Sequence, residues 1–270
     1  MYEEVIKKTG ANPGPKSVVF AGIHGNEKCG VLAFEKVLKD LNIENGEVTF
    51  VYGNPRAIEQ DVRFTEVNLN RMFKPEEGMT LDEKNSYEYN RAQYLKQFLN
   101  QSDFLLDIHA SFTLDSKPFV ICEPNANDIV QYLPFDLVVH GFDEHEPGGT
   151  DYYMNKIGKI GICVECGYLG DTKSTDIAVE TIYSFLKAVG HIESVLSVGE
   201  KDYISVYYLY HTKTDNFRIT KDFRDFEEIM QGTLIAMDGD TEVRADRDCY
   251  IIFARNRNKI GDEGFLLAAK

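Results

Sequence analysis

A histidine and a glutamate stand three residues apart in His24-Gly25-Asn26-Glu27, where a short apolar run gives way to a helical pattern. Such a pair can converge on one metal ion, and zinc binds imidazole nitrogen and carboxylate oxygen readily. We expect Gly25 to let the backbone bend tightly between them. The position favours a ligand site, because open α/β sheets bind ligands at the carboxyl ends of their strands. Alone, the spacing is a weak signal, because most such pairs are a solvated glutamate and a histidine whose hydrogen bonds are satisfied in a loop.

A third metal ligand is expected from the end of another strand, and DFLLDIHA (103–110) is an apolar strand of this kind. His109 lies near its end. Asp107 shares a strand face with His109, so its carboxylate could orient a metal-bound imidazole. The alternative is a buried histidine that only satisfies its hydrogen bonds at the end of the strand.

Glu165 lies inside another apolar run, IGICVECG (160–167). A buried carboxylate is costly unless a partner or a role compensates for its lost hydration. At the mouth of a zinc site it could take a proton from bound water. The alternative is a structural ion pair with a buried arginine.

Arginine and asparagine are concentrated between these motifs, in residues 54–73. The side chains in question are Arg56, Arg63, Arg71, Asn68 and Asn70. Arginine binds carboxylates through two parallel hydrogen bonds, and asparagine adds neutral donors. The chain has 44 acidic and 29 basic residues and a net charge of -15, so an anionic ligand needs a local cluster of this type. A surface loop with scattered arginines is the alternative.

The strong negative charge also argues against partners that are themselves polyanions, such as nucleic acid and anionic membranes. No apolar run approaches the ~20 residues that cross a bilayer. The N-terminal MYEEVIKKTG has no apolar core of a secretion signal. The five cysteines are not spaced like a disulfide framework, which fits a reducing compartment. We therefore expect a cytoplasmic protein.

Two further groupings resemble metal sites but have simpler interpretations. Cys163 and Cys166 form a C-x-x-C inside a strand, and residues three apart on a strand point to opposite faces. His140 and His145 lie in HGFDEHEPGG, whose glycine, proline and acidic content favours a solvated loop.

The elements that must position these residues alternate between strands and helices. Strand-like runs are predicted at 17–24, 47–55, 103–110, 119–124 and 160–167. One helical pattern includes Val31, and two others cover residues 86–99 and 174–190. This alternation predicts an α/β fold with a mostly parallel or mixed sheet covered by helices. Beyond about residue 196 only short β-rich runs occur, so we predict an α/β domain at 1–195 and a small all-β domain at 196–270.

Six motifs stand in an order that resembles one known family, the succinylglutamate desuccinylase/aspartoacylase family, which is related in fold to the zinc carboxypeptidases. They are HGNE (24–27), NPRA (54–57), NLNR (68–71), YEYNRAQ (87–93), DIH (107–109) and ECG (165–167). The resemblance covers nearly the whole chain, because a β-rich C-terminal domain is also a trait of the family. Each motif is weak alone, but six in the same order are specific.

The resemblance implies a function and a role for each of these residues. One zinc ion per chain would be held by His24, Glu27 and His109. Glu165 would act as general base and acid, and Arg63 would polarise the scissile carbonyl. Asn70 and Arg71 would hold a carboxylate of a small-molecule substrate.

The chain departs from the family pattern at three places. Asn68 replaces an acidic residue, and GGTDYYMNKIGK (148–159) lacks an arginine that aspartoacylases carry. In 253–261 the chain has Arg255, Arg257 and Lys259 where the family has a tyrosine that reaches the site. These differences favour a substrate with fewer negative charges than N-acetylaspartate.

The leading hypothesis is a zinc-dependent amidohydrolase that removes the acyl group from an N-acyl amino acid or a similar small amide. A zinc carboxypeptidase or esterase with the same metal centre is the nearest enzyme alternative. A metal-binding regulatory protein without catalysis is the alternative from another class, and Glu165 speaks against it, because a binding site needs no base. A homodimer remains open as the assembly.

Overall fold

The computed structural model describes residues 4–270 of the chain. The strands are β1 (Val5–Thr9), β2 (Asn12–Ala21), β3 (Asn45–Tyr52), β4 (Phe104–Ser111), β5 (Phe119–Cys122), β6 (Leu137–His140), β7 (Ile160–Tyr168), β8 (Asp202–His211), β9 (Phe217–Ile219), β10 (Glu227–Ile229), β11 (Leu234–Asp238), β12 (Thr241–Arg244), β13 (Cys249–Ile252) and β14 (Glu263–Ala269). The α-helices are α1 (Lys28–Val37), α2 (Pro55–Gln60), α3 (Leu81–Lys84), α4 (Tyr87–Gln101), α5 (Asn127–Val130), α6 (Phe142–His145), α7 (Thr150–Lys156) and α8 (Lys173–Ala188).

Eleven of these strands form one mixed sheet, in the order β1-β3-β2-β4-β7-β5-β6-β8-β14-β13-β10. Its centre is parallel, because β2 pairs with β3 and β4, and β4 pairs with β7, all in the same direction. β1 and β5 add antiparallel pairings to this centre. Strands β12, β11 and β9 form a small second sheet. The predicted α/β fold with a mixed sheet is confirmed.

Helices cover both faces of the parallel centre, as β2 shows. Val19 and Ala21 belong to the apolar cluster that also contains residues of α1 and α8. Val18 and Phe20, which alternate with them, belong to the cluster that contains residues of α4. Successive side chains of a strand point to opposite faces, so the strand is buried on both. This double burial explains the nearly continuous apolar run in the sequence.

The strands and helices predicted for residues 1–195 are present, with small shifts of their ends. Two strands, β1 and β6, and five helices, α2, α3, α5, α6 and α7, escaped prediction. Strand β6 has only four residues, too few to show a period. Helix α7 buries just Thr150, Asp151 and Met154, so it has no apolar stripe that the sequence could reveal. The spacing in residues 86–99 places Tyr94 beside Leu95 on the apolar stripe of α4, but Tyr94 is 37% exposed, so this part of the predicted stripe is wrong.

From Asp202 onward the described elements are all strands. β8 pairs in parallel with β6, so the large sheet continues across residue 196. The division into domains at 1–195 and 196–270 stays a prediction. Within residues 4–270, no helix has the length and apolar character that a membrane crossing requires.

Candidate active site

Three polar side chains converge at the carboxyl ends of β2 and β4. The Nδ1 atom of His24 lies 2.8 Å from Glu27 Oε1, and His109 Nδ1 lies 2.9 Å from Glu27 Oε2. The two Nδ1 atoms are 3.2 Å apart. Among the described residues these three form the one group that could hold a metal ion. We call them the ligand cluster.

Neighbouring elements of the sheet place this cluster. β2 ends at Ala21, and His24 follows in the turn that leads to α1. Glu27 is the residue before α1 and makes no capping hydrogen bond, so its carboxylate is free to face the histidines. Gly25 has a role other than the one predicted. It has no positive φ, but a side chain there would collide with the backbone of Ala57 in α2.

The electrostatics of the cluster favour a positive charge at its centre. Burial and the charge of Arg63 lower the pKa of His24 to about 4, so its imidazole is neutral, as a metal ligand must be. Burial alone would raise the pKa of Glu27, but His24 and His109 outweigh it and lower the pKa. Burial alone would also lower the pKa of His109, but the Asp107 carboxylate raises it well above its usual value.

The donor set fits zinc. Ligand atoms of a tetrahedral zinc with bonds of ~2.0–2.1 Å lie roughly 3.3 Å apart, close to the 3.2 Å between the two imidazoles. A partner lies behind each histidine. Asp107 Oδ2 is 3.1 Å from His109 Nε2 and accepts a hydrogen bond from Thr150 Oγ1 at 2.5 Å. Asn68 Oδ1 is 3.0 Å from His24 Nε2. Such partners orient metal-bound imidazoles.

Glu165 lies beside the cluster on β7, directly opposite His109 in the strand pairing. It is 8% exposed, and its Oε2 atom is buried without a hydrogen-bond partner. Burial and the nearby Glu27 raise its pKa well above the usual value. No arginine forms an ion pair with it within the described part of the chain. A buried, unpaired carboxylate with a raised pKa beside a ligand cluster is a strong candidate for a proton-transfer group.

Arg63 joins the cluster from a loop that Glu88 holds in place. Arg63 Nη1 donates to Glu27 Oε1 at 2.8 Å. The fully buried Glu88 carboxylate accepts hydrogen bonds from the backbone and hydroxyl of Thr65, both at 2.7 Å, and from two more backbone amides. The sequence analysis missed Glu88, although an acid on the buried side of an amphipathic helix is a signal that could have found it.

Arg71 lines the cleft, but its guanidinium group is already paired. Its Nε and Nη2 atoms donate to the Glu263 carboxylate at 2.7 and 3.0 Å. Nη2 also pairs with Glu146, and Nη1 donates to the backbone oxygen of Asn70 at 2.8 Å. The Asn70 side chain lines the cleft with a buried, unpaired Oδ1 atom.

Other candidates lie away from the cluster. Arg56 stacks on Tyr87 and is 58% exposed, so the prediction that it helps to receive an anion is wrong. Cys163 and Cys166 belong to apolar clusters on opposite faces of the sheet, which confirms that they cannot act as a pair. His140 contacts Asn127.

The cleft in front of the cluster has two further walls. Its empty volume is about 800 Å³ with the open mouth included. One wall is acidic, with Asp143, Glu146 and Asp151. Burial and neighbouring carboxylates raise the pKa of Asp143 to about 6 and of Asp151 to about 7.

Another part of the lining comes from residues after 202, and we call it the C-terminal wall. It consists of Leu209, Phe253, Arg255, Arg257, Glu263, Phe265 and Leu266. Asp225 ties this wall to the loop after β4. It accepts hydrogen bonds from the hydroxyls of Ser111 and Ser116, both at 2.7 Å, and from the backbone of Phe253 at 2.9 Å. Sequence reasoning missed Asp225, Glu146 and Glu263, because nothing local distinguishes them from the chain's many surface acids.

Known proteins resemble this chain in sequence. A model of the succinylglutamate desuccinylase/aspartoacylase catalytic domain matches residues 13–189. The succinylglutamate desuccinylase of Idiomarina loihiensis is 25% identical, over 98% of this chain and 86% of its own. The N-acyl-aromatic-L-amino acid amidohydrolase (carboxylate-forming) of Rattus norvegicus is 31% identical, over 55% of this chain and 52% of its own.

A solved structure extends the likeness to the fold. The crystal structure of the succinylglutamate desuccinylase from Vibrio parahaemolyticus matches with a TM-score of 0.83 and 17% identity, over 98% of this chain and 86% of that chain. At this identity the match shows only that the folds are alike. The family model, in contrast, matches residues 13–189, and this range contains the whole ligand cluster. The chain therefore belongs to the succinylglutamate desuccinylase/aspartoacylase family.

Proposed function

We propose that this protein is a zinc-dependent deacylase that hydrolyses the amide bond of N-acyl amino acids. The observation that carries the proposal is Glu165, a buried carboxylate without a partner beside three convergent metal-ligand side chains. The names of the relatives, a desuccinylase and an amidohydrolase, support the class of substrate.

His24, Glu27 and His109 would hold one zinc ion. When bound, zinc supplies Lewis-acid activation of water and lowers the pKa of that water to about 7. Asp107 and Asn68 hold the two imidazoles in the required orientation through their outer nitrogens.

Glu165 is the proton carrier in this proposal. Its carboxylate takes a proton from water, and the water oxygen bonds to the carbonyl carbon of the amide. The proton then passes from Glu165 to the amine nitrogen as the bond between carbon and nitrogen breaks. The products are a carboxylic acid and a free amino acid. A raised pKa suits Glu165 to both transfers, because it holds the proton between them.

Arg63 faces the oxygen on which negative charge develops. It uses one nitrogen for Glu27 and keeps its other donors for the carbonyl oxygen, which it stabilises electrostatically. Asn70 and Arg71 lie further along the cleft, toward the rest of the substrate.

The experiment is a hydrolysis screen of N-acyl amino acids with zinc-loaded wild type and Glu165→Gln. Wild type should release free amino acid, and the variant should bind zinc and remain folded while losing turnover. Peptides or simple esters as the preferred substrates, or no hydrolysis at all, would overturn the proposal.

A further inference from the structure

Two arginines on the substrate side of the cleft differ in their charge balance. Arg71 faces two carboxylates, Glu263 and Glu146. Its group therefore carries no surplus positive charge, and both edges of its planar fork are in use. An incoming carboxylate would have to displace Glu263 from a bidentate contact and leave that buried acid unpaired, which is costly.

Arg255 is in the opposite situation. Within residues 4–270 it has no ion pair and no side-chain hydrogen bond, and its Nε atom is buried without a partner. Its guanidinium carbon lies 4.2 Å above the ring centre of Phe112. Burial and the nearby charges of Arg257 and Arg63 lower the pKa of Arg255 to about 9. An uncompensated, half-buried guanidinium is energetically unfavourable unless an anion arrives.

The backbone around Arg255 is fixed on both sides. Its own amide donates to the carbonyl oxygen of Gly264 at 3.2 Å. Two residues earlier, Phe253 has a φ of 57°, a conformation that is rare for a bulky residue. The Phe253 amide donates to Asp225 at 2.9 Å, which holds this turn in place. Arg255 is thus oriented before any ligand binds, and it lines the same cleft as the ligand cluster.

We infer that Arg255 is the residue that receives a carboxylate of the substrate, and that Arg71 is a positioning residue that holds the acidic side chains Glu146 and Glu263. The identity of the substrate as an N-acyl amino acid rests on the proposed function, but the preference for a carboxylate does not. The guanidinium group of Arg255 is planar and stacks on an aromatic ring, so it can bind a carboxylate through two parallel hydrogen bonds. A lysine cannot reproduce this geometry. Arg257 adds positive charge beside it, while its Nε atom stays bonded to the Glu263 backbone at 2.6 Å.

The test compares ligands that differ only in one charge. We would use N-acetyl-L-phenylalanine, N-acetyl-L-methionine and N-acetyl-L-glutamine with their C-terminal carboxamides. Calorimetric affinities are measured in zinc-loaded Glu165→Gln, which binds without turnover, and thermal shifts are measured in metal-free protein. A charge-assisted bidentate contact predicts that each acid binds about 10- to 150-fold more tightly than its amide.

When Arg255→Ala is added to Glu165→Gln, the ratio of acid affinity to amide affinity should fall to about one. Arg255→Lys should retain only part of the preference for the acid. Arg71→Lys should keep it. The matched control is Arg244→Ala, an arginine of β12 that is 48% exposed and outside the cleft. The melting temperature of Arg255→Ala should not fall, because the change removes an unpaired charge; a structural arginine would give a fall.

The outcomes separate this inference from the proposed function. Hydrolysis in the screen together with an unchanged preference in Arg255→Ala overturns the inference alone. A preference that depends on Arg255 without hydrolysis of any N-acyl amino acid overturns the proposed function alone. A wild type without preference, or loss of the preference in Arg71→Lys, also overturns the inference.

Discussion

The ligand cluster and the C-terminal wall line the same cleft, and they differ in how their polar groups are paired. His24, Glu27 and His109 lie within 3.2 Å of one another, and Arg63, Asn68 and Asp107 surround them. On the C-terminal wall, Arg255 has no polar side-chain partner among the described residues. The side chains of a metal site are held in place by neighbouring polar groups, because the metal ion stays bound throughout the reaction. A substrate-binding site instead leaves a group without a partner until the substrate arrives.

The largest effect is expected at Glu165, the carboxylate beside the ligand cluster. Glu165→Gln should reduce kcat by ~10²–10⁴-fold, the usual range for a general acid–base group. Zinc content and melting temperature should stay near those of wild type. Steady-state kinetics with metal analysis would check this. Loss of folded protein without a specific kinetic defect would instead indicate a structural carboxylate.

Arg71→Ala would break the paired part of the substrate side. It leaves the partly buried Glu263 without its counter-ion and removes a partner of Glu146, so the free energy of unfolding should fall by about 1–3 kcal/mol. Urea denaturation measures the change. The control is Arg56→Ala, an exposed arginine of the same segment, which should change stability little. Equal effects of the two substitutions would contradict the proposed pairing role.

The same contrast explains what the sequence could predict. The ligand cluster lies at strand ends, where His24 and Glu27 are close in sequence and β4 is the immediate neighbour of β2. Periodicity and local motifs are sufficient to find such a site. Asp107 could be assigned behind His109 for the same reason, because the two share one strand face.

The C-terminal wall could not be predicted in this way. Arg71 and Glu263 are paired across 192 positions of sequence, and no local pattern indicates which acid will pair with which arginine. Arg255 is visible as a departure from the family pattern, but its lack of a partner is a property of the folded protein. Asn68 was grouped with anion-binding residues, whereas the structure places it against His24.

Zinc affinity offers a finer test of the paired side. Asp107→Asn should weaken zinc binding by about 10- to 100-fold, because the variant loses the carboxylate that orients His109. Asn68→Ala should have a smaller effect, since a neutral amide polarises His24 less. Competition with a chromogenic chelator measures both. Asp103→Asn, at an exposed acid just before β4, is the control, and equal losses in all three variants would argue against the orienting role.

The smallest expected effect is a pH dependence of stability that arises from Glu146, on the acidic wall of the cleft. Burial and Glu263 raise the pKa of Glu146 to about 8, although Arg71 opposes them. The folded protein thus holds this proton more tightly than the unfolded chain. Its contribution to stability is complete below about pH 4.5 and is lost as the pH rises toward 8.

In Glu146→Gln no carboxyl group titrates at this position, so the loss of stability should disappear. We expect the loss to be on the order of 1–2 kcal/mol, because Arg71 offsets part of the effect of burial. Unfolding free energies of wild type and variant should therefore be close at pH 5 and differ at pH 8.5, where the variant should be the more stable protein. Parallel curves for the two proteins would show that Glu146 is ionised throughout.

The most direct test of the whole account is a zinc titration of metal-free protein while hydrolysis of an N-acyl amino acid is followed. The account predicts that the rate rises in proportion to added zinc and reaches its plateau at one zinc per chain. It also predicts that His24→Ala and His109→Ala bind no stoichiometric zinc and stay inactive. Full activity without metal, or full zinc occupancy in His24→Ala, would contradict the assignment of His24, Glu27 and His109 as the metal site.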